Sequence, residues 1–320
     1  MRIRTLLPAL ALLGLGCTDK LEPERDAEPP LVSAPLEAAH EAYLDGDWLA
    51  LGERIHDVLL DPSADELARE NALELLDAAY RDQNGTLPSR FTPPEGVDRL
   101  AYGHVRAVGL DGLQYRRFFR GRLKDPARIA RVTVEALPER RVVLDSDDPN
   151  AELESEVEEP GFSTFSIDSG PMQTAPADGV YAVRIALTTG ATSEGWFIAR
   201  ELTSSSVPEL VAPEPNITER RPEVRWVRFS SPEFAPFENK TVSVYLMDDA
   251  PPWPERWSVW RSDADDVVAT TIGAEPDAPA TELAPGDYVV SLSLGENRRF
   301  GPVRLDRISR AARSFHVVAP

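Results

Sequence analysis

The sequence is poor in the residues that carry most covalent and metal chemistry. Its 320 residues include one cysteine, Cys17, and four histidines. A single cysteine excludes a disulfide within the chain, so burial and hydrogen bonding have to hold the folded state together. The histidines (His40, His56, His104 and His316) never occur at metal-ligand spacing, so we predict no metal site.

Positive charge and catalytic motifs are also scarce. The chain has 34 lysines and arginines against 54 aspartates and glutamates, which gives a formal net charge of −20 and a pI near 4.7. Such a surface repels phosphate backbones, so we expect no nucleic-acid partner. The sequence contains no phosphate-binding loop, dinucleotide fingerprint or Gly-x-Ser-x-Gly elbow. We therefore predict a protein that is not an enzyme, with no catalytic residues and no cofactor.

The first seventeen residues have the pattern of an export signal. Arg2 and Arg4 precede an apolar run over residues 6–15, which is too short to span a bilayer, and the run stops at Gly16-Cys17. This pattern resembles the signal peptide of bacterial lipoproteins. The resemblance implies that residues 1–16 are removed and that Cys17 becomes the lipidated first residue.

The lipoprotein resemblance also implies a location. Acylation of Cys17 with diacylglycerol and a fatty acid such as palmitate would make the lipid bilayer a partner of the chain. Residues 17–35 are rich in proline and acid and are predicted to form an extended tether. Thr18, not aspartate, follows the cysteine, which by resemblance to enterobacterial sorting favours the outer membrane over the inner. No later apolar run approaches eighteen residues, so we expect attachment to the cell envelope by lipid alone.

Residues 36–96 are predicted to form a helical hairpin. Apolar residues recur at three- and four-residue spacing on both sides of a break at Asp61-Pro62. Ser63 is predicted to cap the second helix, with Glu66 completing a capping box. The first half of the hairpin, which contains Tyr-Leu-Asp-Gly-Asp-Trp, resembles a single degenerate tetratricopeptide repeat. A lone repeat has no neighbour of its own kind, so we expect the hairpin to pack on the rest of the protein; a peptide-binding groove is the alternative.

An internal repeat dominates the second half of the chain. Residues 174–213 align without a gap with residues 281–320, a shift of 107 positions. In both copies apolar residues alternate with others, which predicts strands with one inward face. Identical pairs in this alignment include Gly179 and Gly286, Tyr181 and Tyr288, Val183 and Val290, Leu187 and Leu294, and Arg200 and Arg307.

The turn ahead of each repeated tyrosine resembles the tyrosine corner of immunoglobulin-like sandwiches. Its sequence is Ala-Asp-Gly-Val-Tyr at 177–181 and Ala-Pro-Gly-Asp-Tyr at 284–288. The resemblance implies that each tyrosine hydroxyl bonds back to the backbone. Because the usual cysteines are absent, the resemblance shifts to fibronectin type III and other disulfide-free bacterial immunoglobulin-like modules.

We therefore predict a mainly β fold with a small α part: two tandem immunoglobulin-like antiparallel β-sandwiches preceded by the helical hairpin. Their predicted bounds are 99–213 and 214–320, and residues 212–215 (Ala-Pro-Glu-Pro) are predicted to be a stiff joint. Weaker similarity upstream places Trp260 in strand C, where immunoglobulin domains often bury a tryptophan.

Tryptophans supply the candidate contact residues. Trp253 lies in a Pro-Pro-Trp-Pro segment, on what is predicted to be a stiff exposed loop. Flat aromatic surfaces stack well on sugars and on partner side chains, so Trp253 and the nearby Trp257 are candidate contacts with a protein partner or a glycan. Trp226 and Trp260 are predicted to pack in the core.

The acidic segment 145–150 has some features of a calcium loop. Glu156 falls twelfth when Asp145 is counted first, as in loops that bind this cation. Pro149 and Asn150 stand in the fifth and sixth places, where an oxygen ligand and a glycine are needed. A solvated turn with capping carboxylates is the favoured interpretation, and calcium binding stays open.

Together these features predict a lipid-anchored protein of the cell envelope. The leading hypothesis is a non-enzymatic binding or scaffold module for an extracytoplasmic protein partner, because sandwiches in series form stiff spacers with edges and loops that recruit proteins. The alternative is a carbohydrate-binding or adhesive surface lipoprotein whose partner is an envelope polysaccharide, held by Trp253 and its loop.

Overall fold

A computed structural model describes residues 34–109, 112–124, 128–148, 152–159, 161–200, 207–234, 237–249, 255–273 and 282–319. These residues are mainly β with a small α part, as the sequence predicts. Among them, no helix is long and apolar enough to cross a membrane.

Three helices open the described chain: α1 (Ala34–Asp45), α2 (Trp48–Leu60) and α3 (Glu66–Asp82). The predicted hairpin corresponds to α2 and α3, and α1 precedes it. Asp47 and Asp65 cap α2 and α3 by accepting hydrogen bonds from the backbone N–H groups of Ala50 and Ala68 at 3.0 and 2.7 Å. The prediction that Ser63 caps α3 is wrong, because its N–H and hydroxyl both donate to Asp61 in the turn between the helices.

The remainder consists of short connections, one turn of 3-10 helix (Pro232–Phe234) and the strands of three sheets. The strands are β1 (Thr86–Leu87), β2 (Val97–Gly109), β3 (Gly112–Lys124), β4 (Ile129–Ala136), β5 (Arg141–Asp145), β6 (Glu152–Glu159), β7 (Phe162–Asp168), β8 (Gly179–Leu187), β9 (Thr192–Ala199), β10 (Leu210–Ala212), β11 (Asn216–Ile217), β12 (Glu223–Trp226), β13 (Thr241–Asp248), β14 (Glu255–Arg261), β15 (Ala269–Thr271), β16 (Gly286–Phe300) and β17 (Val303–Val317).

The largest sheet has ten strands in the order β14-β13-β16-β17-β2-β3-β7-β6, with β1 beside β16 and β11 beside β17. The others are β5-β4-β8-β9 and β10-β12-β15. Most pairings are antiparallel, but β17 and β2 run parallel over nine residue pairs, from Val303 opposite Leu100 to Ala311 opposite Val108. The large sheet therefore contains strands from both sides of residue 213, where the sequence predicts a joint between two domains. The domain bounds 99–213 and 214–320 stay a prediction.

Two hydrophobic cores lie against this sheet. The first joins α1, α2 and α3 to the four-stranded sheet and includes Leu51, Tyr102 and Phe300. The second includes Trp226 and Leu292. Strand β16 contributes to both cores, because every second residue from Tyr288 to Phe300 is buried on one face of the large sheet.

The two copies of the repeat have matching tyrosine corners, as predicted. The Tyr181 hydroxyl donates to the carbonyl of Ala177 at 2.5 Å, and the Tyr288 hydroxyl donates to the carbonyl of Ala284 at 3.0 Å. In both copies the donor lies four residues after the acceptor. Each hydroxyl thus satisfies a backbone carbonyl in the turn before its strand while its ring is buried.

The ungapped alignment holds along the first strand, as far as Leu187 and Leu294, and is wrong in the returning strand. Tyr181 lies opposite Phe197 and their rings stack with centroids 5.8 Å apart, while Tyr288 lies opposite Phe315 at 5.7 Å. The first pair is 16 residues apart in the chain and the second is 27, so the second hairpin is 11 residues longer. Arg200 and Arg307 are consequently not equivalent positions.

Candidate binding surface

One face of the ten-stranded sheet carries the cores, and the other is open and rich in arginine. Residues directly opposite one another on neighbouring strands share a face, so the register shows which side chains lie together. We define the open face as the one opposite to Tyr102, Phe119 and Leu305, which are buried. It carries seven arginines from β2, β3, β16 and β17: Arg99, Arg116, Arg120, Arg122, Arg299, Arg304 and Arg310.

Four of these arginines form two like-charged pairs. Arg99 lies directly opposite Arg122 across β2 and β3, and Arg299 lies directly opposite Arg304 across β16 and β17. Between the pairs, Ala101 of β2 faces the same side. Its methyl group leaves room over β2 that a larger side chain would fill.

The result is a groove of about 410 Å³, which we call the arginine groove. Hydroxyls of β7 contribute to its wall, and Pro302, in the turn between β16 and β17, lies at one end. No acidic residue is present among the described residues that line it. These are Arg99, Leu100, Ala101, Arg120, Gly121, Arg122, Thr164, Phe165, Ser166, Arg299, Pro302 and Arg304.

Two aspartates hold three of the guanidinium groups in place. The carboxylate of Asp306, which is 7% exposed, accepts hydrogen bonds from Arg120 at 3.2 Å and Arg304 at 2.9 Å. Asp98 accepts from Nε of Arg122 at 2.7 Å, and this hydrogen bond holds the pKa of Asp98 below its ordinary value. These contacts fix the direction of the guanidinium planes.

Aromatic rings support two of the same arginines. The guanidinium of Arg122 lies 4.2 Å from the ring centroid of Phe162, and that of Arg120 lies 4.9 Å from the centroid of Phe118. Such cation–π contacts orient a guanidinium while leaving N–H donors at its edge.

Two arginines at the rim are far less constrained. The side chain of Arg99 is 71% exposed and reaches Asp98 only at 3.9 Å. Arg299 is also exposed, and its guanidinium forms no ion pair with any residue that the structure describes. These two side chains are therefore available to an incoming anion.

A separate cluster of charges is buried on the covered side of the sheet. Glu296, whose side chain is 1% exposed, accepts hydrogen bonds from Arg298 and from Arg307, the latter at 2.6 Å. Asp77 of α3 bonds to Arg298 and Arg200. Burial alone would raise the pKa of Asp77, but these guanidinium groups bring it below its ordinary value. This cluster ties α3 to the β16–β17 hairpin and is part of the core.

His104 is a buried neutral residue next to that cluster. Its Nε2 lies 2.7 Å from the hydroxyl of Tyr102. Burial lowers the pKa of His104 to about 3, and the nearby positive charges of Arg117 and Arg307 act in the same direction. The imidazole therefore stays uncharged at neutral pH.

The structure corrects the tryptophan predictions. Trp257 is 6% exposed and packs in the second core, so it does not offer a contact surface, whereas Trp260 is 63% exposed. The register explains the exchange, because Trp257 lies opposite the buried Leu246 while Trp260 faces the open side. Trp226 is buried, as predicted. Cys17 and Trp253 lie outside the described residues.

The described part of the acidic segment is a capped turn. The carboxylate of Asp145 accepts hydrogen bonds from Arg131 at 2.7 Å and from the backbone N–H of Asp147 at 3.0 Å. The bond from Arg131 keeps the pKa of Asp145 below its ordinary value. The guanidinium of Arg131 thus offsets the negative charge of Asp145. Pro149 and Asn150 lie outside the described residues.

Sequence reasoning missed the arginine groove because its residues come from strands far apart in the chain. One signal was available: residues 116–124 (Arg-Arg-Phe-Phe-Arg-Gly-Arg-Leu-Lys) carry five positive charges in a chain with a net charge of −20. Such a local excess of cations in an acidic protein indicates a surface for an anion.

Comparison with known proteins gives no family assignment. No family model and no curated protein matches the chain. Among solved structures, the crystal structure of chicken CNTN1 FN1-FN3 domains shares 10% identity with a TM-score of 0.21, over 68% of this chain and 66% of that one, just under two thirds. The crystal structure of murine CEACAM1b shares 10% identity with a TM-score of 0.20, over 69% and 99%. At these TM-scores neither structure assigns a role to any residue of this chain.

Proposed function

We propose that this chain is a cell-envelope protein, lipid-anchored at Cys17, which acts as a non-enzymatic binding module. Its open sheet face would hold an acidic protein partner outside the cytoplasm. The observation that carries the proposal is the placement of seven arginines on one open face of a protein whose net charge is −20.

The charge distribution supports a binding role over a purely structural one. Aspartates pair with some of the seven arginines, but Arg99 and Arg299 each lie opposite another arginine, and such clustered cations favour an anionic partner. Arginine is also enriched at protein interfaces, because its planar guanidinium combines several donors with a surface that stacks.

The proposal on the partner can be tested in intact cells with a photo-crosslinking amino acid at Val105, on the open face. Val142, which is 51% exposed on the smaller sheet formed by β4, β5, β8 and β9, is the matched control position. We expect a defined protein adduct from position 105, lost when Arg120 and Arg299 are both changed to glutamine, and no such adduct from position 142. The same products from both positions, or adducts with polysaccharide alone, would overturn the proposal in favour of the adhesive alternative.

The anchor has its own test. Cys17→Ser is expected to abolish incorporation of labelled palmitate and to release the protein from the membrane fraction. Unchanged labelling and fractionation would show that Cys17 carries no lipid anchor. The proposed role of the open face would not be affected by that result.

A further inference from the structure

We infer that the arginine groove is a carboxylate-binding site that takes an acidic peptide segment of the partner. This inference rests on the proposed function, because it specifies what the open face recognises. In the segment that we infer, acidic side chains alternate with neutral ones.

The positive charges that line the groove favour an anionic ligand. Like charges directly opposite one another on neighbouring strands are destabilising, and the groove contains two such pairs, Arg99 with Arg122 and Arg299 with Arg304. The two aspartates that bond to its arginines are too few to neutralise five positive charges. An anion in the groove would relieve the repulsion within these two pairs.

The arginines of the groove differ in how firmly they are held. Arg120, Arg122 and Arg304 are held by carboxylates or by aromatic rings, so they are oriented before any ligand arrives. Arg99 and Arg299 stand at the rim with exposed guanidinium groups. A guanidinium offers its donors in a planar fork that fits a carboxylate with two parallel hydrogen bonds.

The spacing of the strands suits an extended peptide. Strands β3 and β17 both neighbour β2, so their backbones lie about 10 Å apart, although the guanidinium groups of Arg120 and Arg304 converge on one oxygen of Asp306. Along an extended peptide, side chains two residues apart share a face and are separated by about 7 Å, and the flexible glutamate side chain covers the difference. An extended segment lying across β2 can therefore place carboxylates at both arginine pairs.

A peptide fits the observations better than a uniformly charged polymer. The net charge of −20 repels long polyanions, whereas a short segment places its charges only where the arginines are. The volume of about 410 Å³ also lies in the range of sites that hold compact ligands.

The test uses the full-length protein in detergent and fluorescence anisotropy at low and moderate salt. The probe is a labelled eight-residue peptide of alternating glutamate and serine, and the control peptide replaces each glutamate with glutamine. We expect salt-sensitive binding of the glutamate peptide and at least about tenfold weaker binding of the control, since each lost charged hydrogen bond weakens binding about tenfold or more.

Two variants locate the binding in the groove. Arg299→Gln removes one rim guanidinium, and Ala101→Leu fills the floor without changing charge. Each is expected to weaken peptide binding by about tenfold. The matched control is Arg184→Gln. Arg184 is 66% exposed, lies on the four-stranded sheet and pairs with Glu194. This variant should bind the peptide as tightly as the unchanged protein does. Thermal unfolding checks that every variant is folded, and Arg299→Gln should be no less stable than the unchanged protein.

Several results would overturn the inference. Equal binding of the two peptides, or equal losses for Arg184→Gln and Arg299→Gln, would show that the groove is not the site. Tighter binding of polygalacturonate than of the peptide would replace the peptide with an acidic polysaccharide. If crosslinking at Val105 yields a protein adduct that survives Arg299→Gln and Ala101→Leu, the groove inference fails while the proposed binding face stands; if no adduct forms, the proposed function fails too.

Discussion

The β8–β9 and β16–β17 hairpins begin in the same way and end differently. Both start with a tyrosine whose hydroxyl bonds to a carbonyl four residues earlier and whose ring stacks on a phenylalanine of the returning strand. The first hairpin turns after Leu187, at an exposed tip. The second continues for 11 more residues in total, and the residues on either side of its turn, Phe300 and Val303, are buried in the first core.

The difference shows what the added length of the second hairpin contributes. The added length brings Phe300 and Val303 into the first core and forms the parallel pairing with β2. It also supplies Arg299 and Arg304 to the arginine groove. The shared base of the hairpin is thus a folding element, and the extension joins the two cores and forms part of the candidate binding surface.

The largest predicted effect is a difference in unfolding free energy between substitutions at the ends of the two hairpins. Phe300→Ala should lower the free energy of unfolding by about 4 kcal/mol, because the ring is 1% exposed and packs in the first core beside Trp196. Thr189→Ala, at the exposed tip of the shorter hairpin, should change it by less than about 0.5 kcal/mol. Urea unfolding followed by tryptophan fluorescence measures both. Similar values for the two variants would mean that the longer tip does not join the cores.

A second prediction concerns His104, which packs near Tyr181 of the shorter hairpin and lies opposite Arg307 of the longer one. Its folded pKa of about 3 lies below the unfolded value of about 6.5, so the unfolded state binds the proton first. The stability from this neutral imidazole is complete above about pH 6.5 and is lost as the pH falls toward 3. The loss amounts to about 3 kcal/mol by pH 4.

His104→Gln should therefore flatten the pH dependence of the free energy of unfolding between pH 7 and 4. The matched control is His40→Gln, which changes an exposed histidine of α1 and should keep the original profile. Unfolding curves across this pH range decide the matter. An unchanged slope in His104→Gln would show that the imidazole is not buried in its neutral form.

The smallest predicted effect tests what the hairpins share. Tyr181→Phe and Tyr288→Phe each remove one hydrogen bond to a backbone carbonyl and leave the ring in place. Each should lower the free energy of unfolding by about 1 kcal/mol. Chemical denaturation of the two variants gives the comparison, and costs that differ by more than about 1 kcal/mol would show that the corners are not equivalent.

The parts of the fold that local sequence predicts well are those decided by nearby residues. Helices α2 and α3 follow from three- and four-residue spacing, and the corners at Tyr181 and Tyr288 follow from a turn and a ring within five residues. In β14 the structure exchanges the predicted roles of two tryptophans, because Trp257 is buried and Trp260 is exposed. In a strand with apolar residues on both faces, alternation alone does not say which face is buried.

The chain's composition and local order were enough to establish a mainly β protein with a helical start, a strongly acidic balance and two tyrosine corners. Tertiary structure alone decided the parallel pairing of β17 with β2 and the meeting of Arg99, Arg120, Arg122, Arg299 and Arg304 in one groove. The physical reason is that backbone hydrogen bonds form between any two strands, while their partners and register depend on which faces can be buried together.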